Sequence, residues 1–122
     1  METVAVVFIW ISVVAHAAFM FIEMFPWDRP FVFNLVRLKF HPQLENEKVA
    51  AAIVHNAGLY NGFIAVGLVF CALNSHGVFH ARLFFLSCAI VAGIFGAVTL
   101  TPKTLLMQTV PALVALVAIH LR

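Results

Sequence analysis

Four apolar runs, at residues 4–25, 49–73, 79–100 and 104–121, dominate this chain and leave few architectures open to it. A helix needs about 20 largely apolar residues to cross the hydrocarbon core of a bilayer, and the runs meet that length, the last being the shortest. Pro26 and Pro30 close the first run. Asn74, Ser75, His76 and Gly77 separate the second from the third, and Thr101, Pro102 and Lys103 turn the third into the fourth. Short turns make consecutive helices antiparallel neighbours. The expected fold is an all-α integral membrane protein, an antiparallel bundle of four transmembrane helices in a single domain over residues 1–122.

Composition supports lipid as the solvent. Hydrophobic residues make up 64% of the chain and charged residues 10%, with a mean hydropathy of +1.06. Five acids and seven bases cannot cover the wet surface that a soluble domain of this size needs. The net charge of +2 is scattered, with no Lys/Arg cluster that would form a nucleic-acid footprint, so no nucleic-acid partner is expected. Cys71 and Cys88 lie inside apolar runs at depths that differ by roughly 9 Å, which suits two buried thiols and not a disulfide. A signal peptide cleaved after Ala15, His16 and Ala17 is the alternative for the first run. Glu2, the lack of a basic leader and the continuation through Phe19, Met20, Phe21 and Ile22 favour an uncleaved helix.

The long connection over residues 26–48 alternates Phe31, Phe33, Leu35, Leu38 and Phe40 with Asn34, Arg37, Lys39 and His41. Asn34, Arg37 and His41 share one helical face. With Trp27 at its start, this segment reads as an amphipathic stretch lying in the membrane interface, a lid over a cavity being the less common role. Arg29, Arg37, Lys39, Lys48 and Lys103 fall on one side of the bilayer, Arg82 and Arg122 on the other. The excess places the long loop in the cytoplasm and both termini outside.

Polar residues within the apolar runs carry the functional information, because each costs free energy in lipid unless it is satisfied. In the first helix His16 and Glu23 differ by only about 20° around the axis and form one stripe with Ser12. In the second, Asn56 and Tyr60 are an i,i+4 pair on a face that Gly67 continues, while Asn61 lies to the side, toward another helix. The fourth carries Thr104 and Gln108, with Pro111 just beyond. Counted from the cytoplasmic ends, Glu23, Asn56 and Gln108 lie within roughly 3–11 Å of that side, and His16 and Tyr60 about 14–17 Å in. Three helices therefore place polar groups in the same half of the membrane, which suggests a cavity open to the cytoplasm. In it Glu23 and His16 would act as acid and base, and Asn56, Tyr60, Asn61 and Gln108 would bind a lipophilic small molecule. In the third helix Ala89, Gly93 and Ala97 recur every four residues, a spacing that serves packing within the bundle or a homo-oligomer seam.

Plainer readings stand beside these. Glu23 can reach the headgroups and pair with Arg29. His16 can be a satisfied core histidine, the amides can be glue between helices, and Tyr60 can park its hydroxyl on a neighbour. His41, His76, His80 and His120 lie at or beyond helix ends. A metal site from His16, Glu23 and His55 has no supporting HxxxH or ExxH spacing, so none is expected.

His16 with Glu23-Met24-Phe25-Pro26-Trp27, the string from Asn56 through Gly58, Tyr60, Asn61, Gly62 and Phe63 to Ala65, and Gln108-Thr109-Val110-Pro111-Ala112-Leu113 together resemble the small bacterial membrane proteins catalogued as domain of unknown function 1304. The resemblance spans essentially the whole chain. It departs in having Ala57 where a glutamine is expected, which removes one ligand contact. It implies the fold and a location in the bacterial inner membrane, and it brings no activity, cofactor or catalytic residue. Three functions follow: an enzyme or binder of a lipophilic small molecule, in outline similar to membrane sterol isomerases; a proton-coupled transporter working as a dimer, by comparison with the small multidrug resistance family; and an accessory subunit.

Overall fold

The boundaries of the helices follow the prolines and glycines of the sequence. The computed structural model describes residues 1–32, 34 and 47–121. Helix α1 spans Glu2–Met24 and stops where Pro26, which has no N–H to continue the ladder, opens a single 3-10 turn at Pro26–Asp28. Helix α2 spans Glu47–Leu73 and α3 Phe79–Thr99. Between them Gly77 adopts φ +70°, the left-handed conformation that glycine takes without penalty. The last segment opens as a π-helical turn, Leu105–Thr109, and continues as α4, Val110–His120. Pro111 explains the π turn: it has no N–H to donate to the carbonyl four residues back and its ring crowds that carbonyl, and the Val110 N–H reaches five residues back to Leu105.

Three helices are long and apolar enough to cross a membrane, and the fourth, Leu105–His120, is apolar but shorter. Their relative directions follow from contacts at the ends. Arg82 at the start of α3 reaches Glu2 at the start of α1 and Cys71 and Asn74 at the end of α2. The ring of His120, ending α4, stands edge-on to Phe79, and Met1 and Val4 share a groove with Val117 and Ala118. The start of α1, the end of α2, the start of α3 and the end of α4 therefore meet at one end of the molecule. At the other end Met24 packs on Gly58, and Thr104 bonds the Gly93 carbonyl.

The core is one cluster drawn from all four helices, with Ala5, Ile9 and Val13 of α1 against Leu68, Leu86, Ala89, Ala112, Ala115 and Ile119. Much of it is alanine, because close helix approach and not side-chain bulk fills the space. The small residues of α3 serve this purpose. A Cβ on Gly93 would stand 2.2 Å from Thr109 Oγ1. Ala89 is fully buried among core residues. Ala89 and Gly93 are thus enclosed by their own chain, which is packing within the molecule, one of the two uses expected of the Ala89, Gly93 and Ala97 spacing.

Both cysteines are free, Cys71 buried and Cys88 partly so. Trp27 is not at an interface with solvent but is buried against Ala50 and Val54 of α2. Of the amphipathic stretch, 30–32 are helical with Phe31 exposed, and the remainder apart from Asn34 lies outside the described residues.

Candidate functional site

Two glycines one helical turn apart decide what faces what. A Cβ on Gly58 would come within 2.9 Å of Met24 Cγ and 3.0 Å of Glu23 Cβ, and one on Gly62 within 2.8 Å of Met20 Sδ. The Gly58–Gly62 face of α2 therefore lies directly on the last two turns of α1. Asn61 is on that face, and the close approach lets its short side chain span α1.

The Asn61 amide joins two groups that α1 presents seven residues apart, about 10.5 Å along the axis. Its Nδ2 donates to Glu23 Oε2 at 2.7 Å, and its Oδ1 lies 2.9 Å from His16 Nδ1. With the amide nitrogen committed to the carboxyl group, the amide oxygen can only accept, so Nδ1 of His16 carries the hydrogen. All donors in the chain thus point toward Glu23. Such an order accommodates an imidazolium and a carboxylate held apart by an amide, as well as the two neutral groups.

His16 is 0% exposed, and its second ring nitrogen, Nε2, is buried without a hydrogen-bond partner among the described residues. Glu23 and Asn61 are half-buried. The network therefore runs from a partly open carboxyl near the end of α1 to an enclosed imidazole two turns deeper. Ser12 lies on the same stripe but is spoken for, since its hydroxyl donates to the Phe8 carbonyl of its own helix. No ion pair joins Glu23 to Arg29 among the described residues; the carboxyl uses Asn61. No third His, Cys, Asp or Glu stands with His16 and Glu23 in a metal-ligating group among those residues.

Of the six residues expected at the site, hydrogen bonds join three, His16, Asn61 and Glu23, while Asn56 and Tyr60 are turned away from them. Asn56 and Tyr60 are exposed on the outward face of α2, Tyr60 to 57%, with the Phe63 ring edge-on beside it. The stripe that they form with Gly67 is not the inner face. Gly67 is covered by the Phe85 ring of α3, but the half of the stripe holding Asn56 and Tyr60 is left uncovered. Gln108 is buried in the π turn, with its Cβ against Gly93 of α3. The signal that places Asn61 inward is the Gly58-xxx-Gly62 spacing, the same small-residue rule that was applied to α3 alone.

At the opposite end Arg82 is 1% exposed, and sequence reasoning took it for a flanking charge. Its Nη1 donates to Glu2 Oε1 at 2.7 Å, its Nε to the Cys71 carbonyl at 3.1 Å and its Nη2 to the Asn74 carbonyl at 3.0 Å. The guanidinium thus satisfies carbonyls at the end of α2 that have no helical partner. A cavity of about 280 Å³ near that end, lined by Met1, Val4, Leu113, Val114, Val117 and Ala118, is wholly apolar and separate from His16.

Residues 10–120 match the model of the family described as protein of unknown function (DUF1304), and the chain belongs to that family. No curated protein and no solved structure matches the chain.

Proposed function

We propose that this member of the family is an integral membrane protein, a bundle of four transmembrane helices. In this reading Glu23, Asn61 and His16 form an intramembrane centre that binds and converts a lipophilic small molecule. Support for membrane insertion comes from the outward surface, where Val14, Phe21, Val66, Phe70, Val91 and Val98 are all more than half exposed, more large apolar side chains than a water-facing surface carries. The burial of Arg82 supports the orientation. With Arg82 paired to Glu2, the sequence counts Arg29, Arg37, Lys39, Lys48 and Lys103 against Arg122, an excess that supports a cytoplasmic Glu23 end.

The observation that carries the functional reading is His16 Nε2. A buried imidazole nitrogen with no partner is costly, and here the other ring nitrogen is fixed by Asn61, so Nε2 presents its lone pair in a set direction. A ligand hydroxyl or an acidic C–H placed against it gives up its proton to Nε2. The resulting charge is held through Nδ1–H and the Asn61 amide by the Glu23 carboxylate. When the carboxyl is instead protonated, its second oxygen is the acid. Asn61 touches neither step and acts as the positioning residue. The accessory-subunit reading has its own support, since Asn61 satisfies one ring nitrogen and one carboxyl oxygen without any ligand.

Native mass spectrometry of protein extracted gently from its own membrane separates the two. A small molecule retained by the wild type and by the outward-facing control Val66→Leu, and lost from His16→Gln and Glu23→Gln, is the expected result. Identical ligand-free spectra for all four proteins would favour the accessory subunit.

A further inference from the structure

Asn56 and Tyr60 raise a question that the Glu23 centre does not answer. They lie one turn apart on the exposed face of α2, about 12 and 18 Å further along the axis than Lys48, with Val49, Ile53 and Phe63 around them also more than half exposed. Taking the membrane reading above as premise, an amide and a phenol here look into hydrocarbon, which offers no hydrogen bond. Among the described residues α3 meets α2 only toward its far end: Phe85 sits on Gly67 and Arg82 on Cys71 and Asn74, while one and two turns before Gly67, on the same stripe, Phe63 and Tyr60 are more than half exposed.

We propose that two copies of this chain associate through this face of α2, with Asn56 and Tyr60 of each hydrogen-bonding across the seam. Copies inserted by the same charge rule have the same orientation, so their α2 helices run parallel and residues of equal depth meet. Asn56 then faces Asn56, and Tyr60 faces Tyr60. Such a seam works only for self-complementary groups. An amide both donates and accepts, and so does a phenol, whereas a carboxylate or an ammonium at either position would meet its like. A two-fold interface of this kind leaves neither side with an unmatched group. Val49, Ile53 and Phe63 provide the apolar surround. The polar pair lies in the half of the membrane that holds Glu23, about 100–140° round α2 from Asn61, so the seam does not use the face that meets α1.

The test uses the full chain, fluorescently labelled and reconstituted in phosphatidylcholine vesicles at a series of protein densities, with subunits counted by bleaching steps. The wild type is expected to dimerise, and Asn56→Leu combined with Tyr60→Phe to raise the dissociation constant about tenfold or more, with unchanged helix content by circular dichroism. In a Cys71→Ala, Cys88→Ala background, Ile53→Cys is expected to cross-link between copies and Val98→Cys, on the outer face of α3, not to. Three results would overturn the dimer: wild type monomeric at every density, a dimer indifferent to the double substitution, or a small molecule or lipid held by the monomer and lost from the double variant. Protein released from membranes by carbonate would fail the membrane reading itself, a result distinct from all three.

Discussion

Replacing Arg82 with methionine lowers the unfolding free energy by about 3 kcal/mol in SDS titrations from mixed micelles, one of the two largest losses expected. The long apolar side chain keeps most of the packing, so the loss is chiefly electrostatic. It removes the donor to the Cys71 and Asn74 carbonyls and the ion pair to Glu2. Most of the effect belongs to the carbonyls, because the Glu2 side chain is 44% exposed and solvent screens its pairing with Arg82. Glu2→Gln is therefore expected to cost no more than about 1 kcal/mol. Arg82→Lys recovers less than half of the loss, since a single ammonium cannot serve three acceptors that a planar fork meets together. Equal losses for Glu2→Gln and Arg82→Met would mean that the ion pair, and not the helix end, is what Arg82 secures.

Asn61→Leu is the second large effect. It removes two interhelical hydrogen bonds, and at about 0.6–1.7 kcal/mol for each such bond the expected loss is roughly 1–3 kcal/mol in the same titration. The steric part adds to this, because leucine is bulkier than asparagine in a seam set by Gly58 and Gly62. Asn61→Asp separates the contributions. It keeps an acceptor for His16 Nδ1 but withdraws the donor from Glu23 and sets a second carboxyl group beside it. The loss is expected to exceed that of Glu23→Gln, in which the amide of Asn61 still has an oxygen to donate to. If Asn61→Leu were as stable as the wild type, the amide bridge would contribute nothing to the α1–α2 contact.

The helices were legible because their limits are written in residues that restrict the backbone. Pro26 closes α1, the Asn74 to Gly77 segment parts α2 from α3, and Pro102 precedes the last segment; the expected 4–25, 49–73 and 79–100 differ from the observed bounds by two residues or fewer. The fourth run hid its π turn, since the adjustment forced by Pro111 is a matter of hydrogen-bond register and leaves hydropathy unaltered. The face that each helix buries was harder to read. In a water-soluble helix the apolar stripe marks the inside, but a helix in lipid is apolar on its outer face too, so the polar pair Asn56 and Tyr60 reads as an inner stripe although it is exposed. Size decided the matter, because Gly58 and Gly62 fix which side meets α1, and Asn61 follows from them. Arg82 was beyond reach for another reason. Its partner Glu2 is 80 residues away in sequence, and nothing local distinguishes a buried guanidinium from one that flanks a membrane.

His16 Nε2 is where the account is most exposed to test. Solid-state NMR of protein labelled with ¹⁵N at histidine, in bilayers and with His16 assigned by loss of its signals in His16→Gln, reports the two ring nitrogens separately. With the protein in its native lipid extract, Nδ1 should be protonated and coupled to Asn61, and Nε2 should shift when the same sample is moved into synthetic phosphatidylcholine, while Nδ1 stays in place. An Nε2 resonance that is the same in both lipids, or a proton on Nε2 with Nδ1 bare, would contradict a centre in which Asn61 holds the imidazole ready for a ligand.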